Sequence, residues 1–132
     1  IDSLVVSPAH DVAFSRITVV VQGEPSSYDQ ILRQLNKLVD VVHATSHESA
    51  DVVDREMALF KVRVDPNQRA EIFQIVEVFR AKTVDITDES LVIETTGDSL
   101  KIDALEKLLG PMGLVEMVRS GKLIMKRGIE ET

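Results

Sequence analysis

Two stretches of this 132-residue chain follow the same order of elements, and this internal repeat limits the fold more than any other feature of the sequence. Residues 17–42 and residues 91–118 each contain a strand-like run, a glycine, a leucine-rich helical run and a second strand-like run with the pattern Val-acid-x-Val. The identity between the two stretches is weak, but the order of elements is consistent. The repeat therefore predicts two modules of one α+β type.

The second module opens with a strand and a helix. Alternating apolar residues predict a strand over 57–64, and helical spacing predicts a helix over about 66–81 with Asp65 as its N-cap. The side chains that we expect to face a core from this helix are Ile72, Phe73, Val76 and Phe79. The turn between the two elements is well specified, since proline follows Asp65 at the first helical position.

A hairpin, a second helix and two closing strands complete the second module. The hairpin turns at Asp88-Glu89, and the helix ends at Gly110. The resulting order is β-α-β-β-α-β with an extra C-terminal strand. This order predicts a ferredoxin-like domain, with two helices on one face of an antiparallel sheet, at residues 49–132.

The first module shows only the order β-β-α-β. The chain starts with a strand-like run, and further patterns predict a strand over 14–22, a helix over 26–38 and a last strand over 39–47. Compared with the second module, a leading strand and a leading helix are missing. We interpret residues 1–48 as a partial domain of the same type.

The missing strand and helix would leave part of the apolar surface of the first module uncovered. Without them, Val5, Ile17 and Val19 would keep an exposed apolar face, which a monomer does not normally retain. We therefore expect the native protein to begin upstream of Ile1.

Charge and composition exclude several classes of function. A formal net charge of -7 and a pI near 4.9 disfavour binding to phosphate backbones, and no basic cluster overrides this balance. The sequence has no cysteine, which excludes disulfides and thiol nucleophiles and favours a reducing cytosol. No apolar run approaches the roughly 20 residues that cross a bilayer. We expect neither nucleic acid nor membrane as a partner.

Few side chains are arranged for chemistry. The sequence has three histidines, His10, His43 and His47. On a strand, His43 and His47 would share a face but lie roughly 13 Å apart, too far to bind one metal ion without a third ligand. Asp85, Asp88 and Glu89 cluster near the hairpin, where aspartates are common for backbone reasons alone. We predict no catalytic residue and no metal site.

Several segments together point to a known family. They include I-D-S-L-V-V, S-R-I-T-V-V-V, R-E-M-A-L-F-K-V, S-L-V-I-E-T-T-G and R-S-G-K-L-I-M-K-R-G, in order along essentially the whole chain. Together they resemble the small, regulatory subunit of acetolactate synthase, also called acetohydroxyacid synthase. The resemblance implies that the first module is an ACT domain and the second a further ferredoxin-like domain.

The resemblance also implies a function. Members of this family have no catalysis of their own, form homodimers, and bind and activate the large, catalytic subunit. They relay feedback inhibition by valine or a related branched-chain amino acid. Thiamine diphosphate, magnesium and FAD would lie on the catalytic subunit and not on this chain. The protein would be cytoplasmic, or plastid if its source is a plant.

One candidate effector-binding residue follows from the resemblance. In the family, the effector lies between two ACT domains, at a strand-to-helix loop of one chain and an Asn-Ile pair of the other. Ile1 matches the isoleucine of that pair, whereas the asparagine and the loop lie upstream of this sequence. A plain core position is the alternative for Ile1. We expect this chain not to bind valine normally.

Two other functions stay open at this point. A ligand- or metal-responsive repressor could use the same module type, but it would need a basic DNA-binding segment and several His or Cys ligands. A small enzyme on a ferredoxin-like scaffold would need convergent titratable residues in a pocket. Neither set of residues is recognisable in this sequence.

Overall fold

The computed structural model describes residues 3–132, except the side chains of Pro25 and Ser49. The chain divides into two compact units. The first unit comprises Ile1–Asp54 and Lys122–Thr132, and the second comprises Arg55–Gly121. The elements in chain order are β1 (Ser3–Pro8), β2 (Ser15–Val20), α1 (Pro25–Asn36), a 3-10 turn (Ser49–Asp51), β3 (Val52–Arg63), α2 (Arg69–Val78), β4 (Lys82–Ile86), β5 (Ser90–Gly97), α3 (Ser99–Leu109), a second 3-10 turn (Gly110–Met112), β6 (Leu114–Arg119) and β7 (Leu123–Lys126).

The second unit has the predicted β-α-β-β-α-β order. Its strands β3, β5, β4 and β6 pair antiparallel in the spatial order β4-β5-β3-β6, and β7 also pairs with β3. The first strand of the module is thus central and the last strand lies at an edge, which is the split β-α-β arrangement. The predicted hairpin, the second helix and the first closing strand are present in this unit within about two residues of the expected positions, and the second closing strand, β7, is also present but belongs to the first unit.

The core of the second unit lies between this sheet and its helices. Alternate residues of β3 and β5 point inward, and both helices contribute one apolar stripe. The buried cluster consists of Ala58, Phe60, Val62, Val64, Ile72, Val76, Leu91, Ile93, Ile102, Leu105 and Leu109. Burial of large side chains such as Phe60 and Leu109 stabilises the fold by roughly 1.5–3 kcal/mol each.

Helix α2 differs from its prediction at the start and on one face. The helix begins at Arg69 and not at residue 66, because Asp65 Oδ1 accepts the Asn67 N–H at 3.1 Å and closes a turn first. Ile72 and Val76 are buried and Phe79 packs against the core, as expected. Phe73 was expected in the core but is 39% exposed, and Ile75 packs against the core instead. The later start of the helix does not explain why Phe73 is exposed or why Ile75 packs against the core. Helical periodicity alone could not choose between Phe73 and Ile75 as the core residue.

The chain turns sharply between α3 and β6 at Gly113. Its φ of 103° lies in the left-handed region, and its carbonyl accepts the Arg63 N–H at 2.8 Å. A Cβ at this position would lie 2.4 Å from the carbonyl oxygen of Arg63. Only glycine fits this close approach of two backbone segments.

The first unit contains the predicted strands β1 and β2, which pair antiparallel, and helix α1. The predicted strand over 39–47 was wrong, because these residues form turns and irregular chain. Val39 and Val42 are 98% and 78% exposed. Among the described residues no strand pairs with this segment, and alternation alone does not hold a strand without a neighbour.

A side chain organises this irregular segment. Asn36 Nδ2 donates to the carbonyl oxygens of Leu32 and Ala44, both at 3.1 Å. The Ala44 N–H in turn donates to Asn36 Oδ1 at 3.0 Å. The residue at the end of α1 therefore ties the following loop back to the helix.

Candidate interaction surfaces

The sheet of the first unit carries an exposed apolar face. Leu4 pairs with Val19 and Val6 pairs with Ile17, so these four side chains lie on one side of the ribbon. They are 57%, 43%, 63% and 62% exposed, respectively. Four neighbouring apolar side chains at this exposure are typical of a surface that contacts another protein element.

The expected exposed face is confirmed for Ile17 and Val19 and was wrong for Val5. In the observed register Val5 lies opposite Thr18, which is 7% exposed, on the other side of the ribbon. Successive residues of a strand point to opposite faces, so Val5 cannot share a face with its neighbours Leu4 and Val6. Leu4 and Val6 take the place that was expected for Val5.

Helix α1 adds further exposed apolar side chains to the first unit. Ile31 and Leu35 lie one turn apart on the helix, and both are more than a third exposed. Leu38, just beyond the helix end, is also exposed. The apolar residues whose spacing predicted the helix thus form a face that the other described residues leave partly exposed to solvent.

The second unit contains an ion-pair cluster that the sequence pattern did not predict. Glu56 lies on the inward face of β3 and is buried, and Arg119 of β6 donates hydrogen bonds to it and to Asp103 of α3. Ser99 Oγ also donates to Glu56 Oε1, at 3.4 Å. The Glu56 hydrogen bond is the largest of the effects that raise the pKa of Arg119. The cluster joins α3 to two strands.

A signal for this cluster was present in the sequence. Glu56 has the same parity as Ala58 and Phe60, so alternation places a carboxylate in the row of core residues. A buried charge needs a partner, and Arg119 is a basic residue at the end of a closing strand. Which basic residue meets Glu56 depends on strand order, which the sequence does not contain.

The histidine and carboxylate candidates for metal binding or catalysis lie on different segments of the chain. His47 Nε2 is 3.2 Å from Thr45 Oγ1, in the irregular chain and not on a strand. Asp88 and Glu89 lie at the hairpin turn, where the Thr87 hydroxyl accepts the Glu89 N–H at 3.2 Å. Within residues 3–132, no group of three or more His, Cys, Asp or Glu side chains could hold a metal ion. Ile1, the candidate effector-binding residue, lies outside the described residues.

The helices that the structure describes include none with the length and the apolar run that a membrane span requires. The second unit has the complete ferredoxin-like topology, and the first carries exposed apolar faces on its sheet and its helix. These features define an α+β protein of the ferredoxin-like class with surfaces suited to association.

Two family profiles match successive parts of the chain. The profile for the "AHAS small subunit-like ACT domain" matches residues 1–43, and the profile for the "Small subunit of acetolactate synthase" matches residues 55–128. The chain therefore belongs to the acetolactate synthase small-subunit family.

Individual relatives support the same family. The acetolactate synthase small subunit of Mycolicibacterium smegmatis is 44% identical over 128 residues, covering 97% of this chain and 75% of that protein. The small subunit of Bacillus subtilis is 41% identical over 132 residues, covering 99% of this chain and 77% of that protein.

A solved structure supports the fold. The crystal structure of the small subunit from Thermotoga maritima matches with a TM-score of 0.89 at 37% identity, covering 98% of this chain and 81% of that chain. The expected fold class, with an ACT-type ferredoxin-like module, and the expected family are confirmed.

Proposed function

We propose that this chain is a regulatory subunit that binds and activates the catalytic subunit of acetolactate synthase and confers feedback inhibition by valine or another branched-chain amino acid. The observation that carries the proposal is the pair of profile matches, an ACT-type segment followed by the small-subunit segment, in one chain. We assign effector sensing to residues 1–48 and the second regulatory domain to residues 49–132.

The proposal assigns catalysis to the partner subunit and regulation to this chain. The catalytic subunit would hold thiamine diphosphate, magnesium and FAD and perform the reaction. This chain would supply binding energy that differs between an active and an inhibited state of the partner, which is what allosteric coupling requires. Ile1 would be the residue that this chain contributes to an effector site between the two subunits of a homodimer.

The first unit supports a role in association. Leu4, Val6, Ile17 and Val19 form an apolar face that costs solvation free energy in an isolated chain and would be stabilised by contact with another protein surface. An effector that alters such contacts would alter the partner's activity. The protein would work where its catalytic partner does, in the cytoplasm or, in a plant, in the plastid.

Reconstitution tests this function. Purified catalytic subunit is assayed for acetolactate formation alone and with increasing amounts of this chain, in the presence and absence of L-valine. We expect no turnover by this chain alone, stimulation of the catalytic subunit at saturation, and inhibition by L-valine when the small subunit is extended upstream of Ile1.

D-valine and glycine are the matched controls, because they share the charged groups of the effector but not its stereochemistry or its side chain. Absence of stimulation by the extended chain at micromolar concentrations of both subunits would contradict the proposal. Equal inhibition by L-valine and D-valine would contradict the effector assignment.

A further inference from the structure

We propose that the interior of the second unit contains a binding site for one water molecule, held between the Thr95 hydroxyl and the Glu56 carboxylate. The site lies at the end of the sheet where α3 begins. It is defined here as the polar corner, four neighbouring residues on the inward face of β3 and β5: Glu56, Ala58, Thr95 and Gly97.

The Thr95 side chain has a polar group that needs a partner. Thr95 is 2% exposed, and within the described residues its Oγ1 has no hydrogen-bond partner. A buried hydroxyl that is left unpaired costs free energy, and buried polar groups are normally bonded to protein atoms or to an ordered water. A bound water would remove this cost.

The strand register brings a second polar group close to Thr95. Thr95 lies opposite Ala58 and Gly97 lies opposite Glu56, so Thr95 and Glu56 occupy one diagonal of a rectangle of four residues. Diagonal neighbours of this kind have Cα atoms about 7–8 Å apart. Two oxygens that share one bridging water lie about 4.5–5.5 Å apart, which side chains on such a diagonal can reach.

The other diagonal of the polar corner provides space. Ala58 and Gly97 have the two smallest side chains, so little fills the inward face between the two polar groups. Lys101 of α3 closes the corner on one side, since a Cβ on Gly97 would lie 2.5 Å from Lys101 Cδ. A small polar space that is closed in this way suits a water molecule and excludes larger ligands.

The Glu56 carboxylate can accept a hydrogen bond from the water. The bonds from Ser99 Oγ and from Arg119 both reach Oε1 of Glu56, so Oε2 keeps its capacity as an acceptor. The water would accept the Thr95 O–H and donate to Glu56 Oε2. Ser99 Oγ, 3.4 Å from Glu56 Oε1, can accept the second hydrogen. Three partners are typical of a buried water.

The charges around the polar corner favour water over a cation. Arg119 already pairs with Glu56. Asp103 and Glu106, the other carboxylates near Arg119, have side chains that are more than 40% exposed, so solvent reaches them. Within residues 3–132 there is no set of three His, Cys, Asp or Glu side chains that could hold a metal ion. A neutral ligand that both donates and accepts satisfies Thr95 and Glu56 without adding charge.

The variant Thr95→Val tests the site, because valine has nearly the shape of threonine but lacks the hydroxyl. Removing an unpaired buried hydroxyl would stabilise the protein, whereas removing one that holds a bonded water destabilises it. We expect Thr95→Val to raise the equilibrium constant for unfolding about fivefold, measured by urea unfolding of the full chain. Thr96→Val is the matched control, because Thr96 is the next residue and is exposed. Its unfolding constant should stay within about twofold of the original.

A second background should reverse the sign of the effect. The double variant Glu56→Leu with Arg119→Met removes the acceptor of the water and leaves no unpaired charge in the corner. The Thr95 hydroxyl is then the unpaired group. In this background Thr95→Val should lower the unfolding constant by about twofold or more.

A crystal structure of the full chain, at a resolution that shows ordered waters, supplies a second readout. One water should lie within about 3.2 Å of both Thr95 Oγ1 and Glu56 Oε2. The proposal would be overturned if Thr95→Val left the unfolding constant of the otherwise unchanged chain the same or lowered it. A crystal structure without this water, or with Thr95 Oγ1 bonded directly to a protein atom, would also overturn it. Neither result bears on the proposed regulatory function, which reconstitution tests separately.

Discussion

At the scale of single residues, Gly113 is a position that only glycine fits. Gly113 combines a left-handed backbone with a 2.8 Å hydrogen bond to Arg63, so its position joins β3 to the start of β6. The sequence marks this glycine only as part of a Gly-Pro-Met-Gly turn. No side chain fits because the Arg63 carbonyl lies close in space, although Arg63 is far from Gly113 in the sequence.

Gly113→Ala should lower the free energy of unfolding by at least about 2 kcal/mol, because the new methyl group meets the Arg63 carbonyl oxygen in a backbone conformation that alanine rarely adopts. Urea unfolding monitored by circular dichroism measures the change. Gly110→Ala is the matched control, since Gly110 has helical angles and open space around its Cβ position. That control should be neutral or stabilising by about 0.5 kcal/mol. A loss of equal size at both positions would contradict the steric argument.

At the scale of elements, the Glu56 cluster determines how α3 is held. Arg119 bridges the buried Glu56 of β3 and the exposed Asp103 of α3, so one side chain connects three elements. The Asp98 side chain caps the start of the same helix by accepting the Lys101 N–H at 2.9 Å. The helix is thus oriented by polar contacts at one flank and by the core at the other.

Arg119→Met should destabilise the protein by about 3 kcal/mol, because it leaves the buried Glu56 carboxylate without its charged partner. The measurement is again urea unfolding at neutral pH. Combining it with Glu56→Leu should recover most of the loss, since the cluster is then apolar. Asp103→Asn should cost less than about 1 kcal/mol, because that partner is exposed. A double variant as unstable as Arg119→Met alone would show that the pairing is not the cause.

At the scale of the whole molecule, the two units differ in how many of their apolar side chains they bury. Every residue of the hydrophobic core cluster lies in the second unit, between Ala58 and Leu109. The first unit keeps large apolar side chains exposed on β1, β2 and α1. Stability within the described chain should therefore be concentrated in the second unit.

Native-state hydrogen exchange should show this difference. Amides of Phe60 and Ile93 in the central strands should exchange only by global unfolding, whereas amides of α1 should exchange through local opening at least about tenfold faster. The experiment compares exchange rates at increasing urea concentrations. Exchange of α1 amides as slow as that of Phe60, with the same urea dependence, would contradict the expectation.

The elements that the sequence predicted well are those whose own pattern is sufficient. Strand β3 alternates buried and exposed residues along its length, and α3 has leucines at helical spacing with a capping aspartate before it. The segment at 39–47 alternates equally well but forms no strand, because a strand also needs a neighbour. The candidate site was predicted only by family resemblance, and Ile1 lies outside the described residues.

By itself the sequence determined the module type, the family and the order of elements apart from the strand at 39–47, because periodicity, turn residues and segment resemblance are all local properties of the chain. The tertiary structure decided which residues share a face, as for Leu4 with Ile17 and Glu56 with Arg119. It also decided which strand lies at an edge. These properties depend on strand order and register, and both arise from contacts between residues far apart in the sequence.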